Sequence, residues 1–182
     1  MDDLYFDACM ELMRRGDKNG LKSIYEAYAP MIYHSIVAVV RNHENAEDLT
    51  SEFFIKLWSI APFYKPGNHH KAWMLTVAKN MTIDFLRKCG RESAFDIFEN
   101  AQTVQTLSGQ SAKDPQESVV GKLSFDEAMQ QLEPQECLIM NMKVLGGYTF
   151  KEISESMNMP QGTVSWKYQR AVQKLRRVGY GK

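Results

Sequence analysis

Apolar residues recur at three- and four-residue intervals along most of the chain, which is the period of an amphipathic helix. Leu4, Ala8 and Leu12 form the first stripe, with Asp2 or Asp3 as a cap and Gly16 as a stop. They predict a helix to about Arg15 with that stripe on its buried side. A second stretch begins near Asp17 and carries Leu21, Ile24, Tyr25 and Tyr28; Pro30 interrupts or kinks it, and Met31 to Val40 continues in register. The run Ile36 to Val40, taken alone, also fits a buried strand. The flanking period favours helix, and no Asn-Gly or Asp-Gly hairpin signal separates alternating runs anywhere. After a turn at Asn42 to Asn45, a third helix is expected from Ala46 to Ile60, with Leu49, Phe53, Leu57 and Ile60 on one side and Glu47, Asp48, Ser51 and Glu52 on another. Ala61 to Asn68 holds two prolines, a glycine and two aromatics, a loop composition. A fourth helix follows from His69 to about Gly90.

The period fades from Arg91 to Glu117, and residues 102–117 are rich in Ser, Thr, Gln and Gly, which reads as a linker. Helical pattern returns from about Val119 to Leu132, and Pro134 opens another helix to Leu145, closed by Gly146 and Gly147. Ile153 and Met157 then share one face before Pro160 stops the helix, with Asn158 and Gly162 flanking the break. Val164, Tyr168, Ala171, Val172 and Leu175 mark a second helix beyond it. Two short helices across a tight turn form a helix-turn-helix; an ordinary helical hairpin with a solvated basic face fits the same stretch. The expected fold class is all-α: two small helical domains, 1–91 and 119–182, joined by a flexible linker over 92–118, the C-terminal domain being the helix-turn-helix.

Composition narrows the class. The formal net charge is zero, but it is unevenly spread. Residues 61–91 carry six basic side chains and one acidic; residues 92–136 carry nine acidic and two basic; residues 161–182 carry six basic and none acidic. Local charge decides where a polyanion docks, so two basic blocks flank an acidic one; the domains can be splayed or folded together through the acidic linker, and this charge pattern suits self-association of linker and readers. No apolar run of about 18 residues is present, so no membrane insertion is expected. Asp2 and Asp3 directly follow Met1, where a secretory signal would be basic, and Cys9, Cys89 and Cys137 are far apart and form no zinc pattern. A cytoplasmic location is expected. His69-His70 has no third ligand at metal spacing, and no nucleophile-base pair or phosphate loop is visible; no cofactor, metal or catalytic residue is expected.

Several short stretches together carry a resemblance. They are Ala46-Glu47-Asp48-Leu49 with Phe53-Phe54-Ile55-Lys56-Leu57-Trp58, then Trp73-Met74-Leu75, Ala78-Lys79-Asn80 and Ile83-Asp84-Phe85-Leu86-Arg87-Lys88, and finally Gly162-Thr163-Val164. In order and spacing the chain resembles the extracytoplasmic-function (ECF) class of sigma factors of bacterial RNA polymerase.

The resemblance implies a promoter-specificity subunit with core RNA polymerase and promoter DNA as partners, and an anti-sigma factor expected to hold it inactive. It places core binding on Ala46 to Trp58, through Asp48, Ser51 (where the family usually has glutamine), Glu52 and Lys56. It places −10 reading on loop 61–71 and the fourth helix, with Phe63, Tyr64, Lys65 and Asn68 as lining residues, Lys71 and Lys79 near phosphates, and Asn80, Asp84, Arg87 and Lys88 at helical spacing. It places −35 reading on the last helix: Ser165 and Gln169 at base edges, Thr163, Lys167, Arg170 and Lys174 nearer phosphates, and Trp166 as an uncommon replacement. From the residues alone, the acidic face of the third helix also fits plain solvation, Asp84 and Arg87 fit an intrahelical salt bridge, and Trp73 and Phe85 fit core packing. Two rival functions remain: a stand-alone helix-turn-helix regulator, and a sigma-like mimic that titrates an anti-sigma factor.

Overall fold

The structure is a computed structural model of the chain; it describes residues 1–66, 69–89 and 125–178. The linker expected over 92–118 lies outside the described residues, as does Asn68.

The first three helices start where a short polar side chain takes an unpaired amide. Asp2 accepts from Tyr5 N at 2.8 Å and opens α1 (Asp3–Arg14). Asp17 accepts from Asn19 N at 2.9 Å and opens α2 (Lys18–Val40), which runs without a break past Pro30. Asn42 accepts from Asn45 N at 2.8 Å, so α3 (His43–Ile60) begins three residues earlier than its apolar period suggested. A short 3-10 turn, Ala61–Phe63, leads toward α4 (His70–Lys88). The second half holds α5 (Phe125–Gln130), α6 (Pro134–Val144), α7 (Phe150–Met157) and α8 (Gln161–Arg177). No strand occurs among the described residues. In the helix-turn-helix, Thr149 and Glu152 cap α7 reciprocally, with Glu152 N donating to Thr149 Oγ1 at 3.2 Å and Thr149 N to Glu152 Oε2 at 2.7 Å. Asn158, at φ +51, ends α7; Gly162 is the second residue of α8 and contributes nothing to the turn.

The expected buried side of α1 is corrected. The face turned inward is Phe6, Cys9, Met10 and Met13, while Leu4 (83% exposed), Ala8 and Leu12 face solvent. Both sets have the helical period. The inner set carries more side-chain volume, and it faces α2 where the helices come closest. There Gly20 packs so tightly that a Cβ would lie 2.3 Å from Cys9 O. A first core gathers Phe6, Met10, Ile24, Ile32, Ile36, Phe53, Leu57 and Met74.

A second core gathers Met129, Leu132, Ile139, Met142, Ile153, Met157, Val164 and Ala171, and it includes Ala38 and Val39 of α2 and Leu86 of α4. The two halves therefore share apolar packing. Around it, the Tyr148 hydroxyl donates to Ala72 O at 2.7 Å and pairs with the Thr76 hydroxyl at 2.6 Å. Arg41 donates to Leu132 O at 2.5 Å. Lys79, only 7% exposed, donates to Ser156 O at 2.5 Å and to Ser156 Oγ at 3.1 Å, near the carbonyl end of α7 where helical partial negative charge collects. Burial pushes the Lys79 pKa down from that of a free lysine. Among the described residues the contact between the halves is thus apolar, and the cations in these bonds meet carbonyl and hydroxyl oxygens; the linker through which charge-driven self-association would act lies outside the described residues.

An apolar contact resists salt, because screening acts on charges. The radius of gyration should be the same at low and high ionic strength. It should rise on Ala38→Asp, which puts a carboxylate into the shared packing but leaves the first core untouched; small-angle scattering measures both.

Candidate nucleic-acid interface

Three outward faces carry the residues singled out above. On α3, the buried side is Ala46, Leu49, Thr50, Phe53, Phe54 and Leu57. That leaves Asp48, Ser51, Glu52 and Lys56 together on the exposed side. Ile55 sits among them and is 70% exposed. Sequence reasoning passed it over: it falls inside an apolar run, where a core position is the default. Its place between two outward polar residues, Glu52 and Lys56, was the available signal.

In the second face, Phe63 is 81% exposed and Lys65 is exposed. Tyr64 is not: its ring lies 5.5 Å from Phe6 and 4.8 Å from Trp73, and its hydroxyl donates to Asp7 at 2.7 Å. Burial and that hydrogen bond both raise the Tyr64 pKa, so it stays a donor. On α4, Asn80, Asp84, Arg87 and Lys88 are exposed. Lys71 is exposed too, but nine residues from Asn80 is about two and a half helical turns, so it lies on the opposite side. Lys79 points into the contact with α7. Trp73 and Phe85 pack against the first core. Cys89, just past α4, is exposed, whereas Cys9 and Cys137 are buried and burial pushes the Cys137 thiol up to about 12. No group of three or more metal-ligating side chains occurs among the described residues.

The third face is on α8. Val164 and Ala171 are buried, so the opposite side carries Gly162, Trp166, Gln169, Gln173 and Arg176, all exposed. Gln173 was not singled out from sequence; it lies one turn beyond Gln169, and that spacing was legible. Thr163, Ser165 and Lys167 are half-buried on the flanks. Arg170 and Lys174 turn toward α6. Arg170 meets Glu133 at 2.8 Å and Glu136 at 3.4 Å; Lys174 meets Glu136 at 2.7 Å and Glu133 at 3.8 Å. The Glu136 side chain is fully buried, and its Oε2 also accepts from Glu133 N at 2.9 Å, at the start of α6. Trp166 covers this group from outside, with Arg170 Cζ 5.3 Å and Lys167 Nζ 5.9 Å from its ring centroid.

Residues 24–92 match the sigma-70 region 2 family, and residues 122–175 match the sigma-70 region 4 family. Among relatives that match over most of the chain, the ECF RNA polymerase sigma factor BldN of Streptomyces coelicolor is 29% identical over 93% of this chain and 65% of its own length. The RNA polymerase sigma factor CarQ of Myxococcus xanthus is 25% identical over 93% of this chain and 94% of its own. The ECF sigma factor SigW of Bacillus subtilis is 26% identical over 91% of each. The chain belongs to the ECF class of sigma factors. This sigma factor also shares its fold with the sigma factor RpoE of Bartonella quintana, solved in complex with the anti-sigma factor NepR, at a TM-score of 0.60 and 19% identity over 86% of this chain and 94% of that one. Sigma factors are transcription-initiation factors and not enzymes. In this one, no helix among the described residues is long and apolar enough to cross a membrane.

The charge census of α8 changes what the sigma factor offers to a duplex. Arg170 and Lys174 are already matched by two carboxylates, while Arg176 is outward. Lys174→Ala should leave the slope of log K against log salt for −35 duplex binding unchanged. Arg176→Ala should flatten it by about 0.9, the increment for one phosphate contact.

Proposed function

We propose that this sigma factor binds core RNA polymerase through the outward face of α3, reads the −10 element with Phe63, Lys65 and the outer face of α4, reads the −35 element with the outer face of α8, and assists melting between them. The reading rests above all on α4. Asn80, Asp84 and Arg87 recur at intervals of four and three on one exposed face of a helix whose other sides are packed. Amide, carboxylate and guanidinium groups can engage base edges and the backbone. Extruding a base costs roughly a few kcal/mol, and an exposed aromatic such as Phe63 offers a stacking surface that offsets part of it. On α8, Gln169 and Gln173 present amides one turn apart, and glutamine pairs bidentately with adenine in the major groove. The chain itself carries out no phosphodiester chemistry and acts in the cytoplasm beside the polymerase. A partner of the anti-sigma class, as in the Bartonella complex, would hold it inactive.

Transcription with purified core polymerase on a promoter library tests the reading. Specific initiation is expected, and Asn80→Ala with Asp84→Ala should abolish permanganate-reactive open complexes while core binding survives. No specific transcript from any promoter, despite core binding, would overturn it. A separate measurement concerns α3. Ile55→Asp should weaken core affinity about tenfold or more, the loss of about 1.4 kcal/mol, with little change in melting temperature, because Ile55 is 70% exposed in the free protein.

A further inference from the structure

Three polar side chains of helix α1, Asp3, Asp7 and Arg14, reach the segment between α3 and α4. Near its C-terminal end, Arg14 donates through Nε to Ala61 O at 3.0 Å and through Nη2 to Tyr64 O. In its middle, Asp7 accepts the Tyr64 hydroxyl at 2.7 Å, and the Phe6 ring meets Tyr64 edge-on at 5.5 Å and stacks on His70 at 4.6 Å. At its start, the Asp3 carboxylate bonds His70 Nδ1, and His70 Nε2 meets the Tyr28 hydroxyl, which also donates to Met1 O at 3.1 Å. The segment is therefore tied at its first turn, at Tyr64 and at His70 to one rigid helix running antiparallel to it. The two carbonyls held by Arg14 belong to a 3-10 turn and its cap, so the guanidinium ties the two ends of that turn to α1. Phe63 and Lys65, on either side of the Tyr64 anchor, are left exposed.

Two of the ties come from tyrosine hydroxyls that stay protonated. Burial pushes the Tyr28 hydroxyl up to about 12 and the Tyr64 hydroxyl higher, and the hydrogen bond from His70 holds the Asp3 carboxyl below its ordinary range. Ordering one residue of backbone costs roughly 1–2 kcal/mol. A reader that had to order its own backbone while extruding a base would carry both costs at once, whereas a pre-ordered one carries only the second.

We propose that α1 is the positioning element of the −10 reader: Arg14 and Asp7, with Asp3 acting through His70, hold the 61–64 turn and its Tyr64 anchor in the shape that presents Phe63 and Lys65 to an extruded base, and so help determine which −10 sequence is accepted. The proposal rests on the reading of this segment given under Proposed function. Arg14→Ala removes both carbonyl bonds. Tyr64→Phe keeps the packed ring and deletes only the hydroxyl tie to Asp7, so one variant leaves the core filled. Each is assayed in the full chain with core polymerase, on a promoter panel in which every −10 base is changed in turn. Core affinity and melting temperature are measured in parallel.

Both variants should lose about tenfold in open complexes on the preferred promoter, equivalent to about 1.4 kcal/mol. Their discrimination among −10 variants should narrow and core affinity should stay unchanged; Arg14→Lys, able to reach one carbonyl, should recover part of the discrimination. A wild-type −10 profile in Arg14→Ala and Tyr64→Phe, with or without a lower melting temperature, overturns the proposal and leaves the two residues as stabilisers of the fold. If Phe63→Ala and Lys65→Ala themselves leave open complexes unchanged, the segment is not the reader, and the reading and this proposal fall together.

Discussion

Ile36 to Val40, at the end of α2, are five consecutive apolar residues, and all five are buried. At about 100° per residue such a run covers the whole circumference of a helix, so it has no side it can leave to water. Neighbours must close around it. Ile36, Val37 and Val40 belong to the first core; Ala38 and Val39 belong to the second. The helix that ends the first core thus begins the second, and the meeting of the two halves follows from burying one stretch of backbone. The polar bonds around it, from Tyr148, Arg41 and Lys79, fit into the arrangement that this burial dictates. Lys79 shows the cost of such a position: a cation in a desolvated contact, held by oxygens of one serine at a helix end.

The same division between what faces in and what faces out explains the reading helix. Composition assigns every lysine and arginine of α8 to a polyanion. Geometry divides them. Arg170 and Lys174 hold α8 against Glu133 and Glu136 at the start of α6, and the outward side is left to two amides, an indole and Arg176. Charge here sets posture, and neutral hydrogen-bonding groups carry the potential for discrimination. Trp166 joins the two roles, lying over Arg170 while half exposed.

Much of the architecture was legible in the chain because it is encoded locally. Caps, prolines and the 3.6-residue period located every described helix to within a few residues; the part of the α5 pattern before Phe125 lies outside the described residues. What sequence could not supply is pairing across distance. The two candidate stripes of α1 have the same period, and packing in the first core buries Phe6, Met10 and Met13 and leaves Leu4, Ala8 and Leu12 exposed. Tyr64 and Phe63 are adjacent aromatics in a loop composition; Asp7, 57 residues away, makes one an anchor, and the other is exposed. Lys79 looked like its neighbour Asn80 until Ser156, 77 residues on, came to rest against it. In each case the residue type was read correctly and its direction was decided by a partner beyond the helix.

The cysteines differ in the same way, and the difference has a use. Reaction with an electrophile requires a thiolate that solvent can reach. Cys9 and Cys137 are buried and Cys137 is strongly protonated, while Cys89 stands exposed one residue beyond the end of α4. The native chain therefore carries one addressable handle, at the tip of the helix whose outer face carries the proposed −10 readers and whose inner face meets α7. A dye attached there needs no engineered cysteine, and it would respond both to the arrival of nucleic acid and to the parting of the two cores.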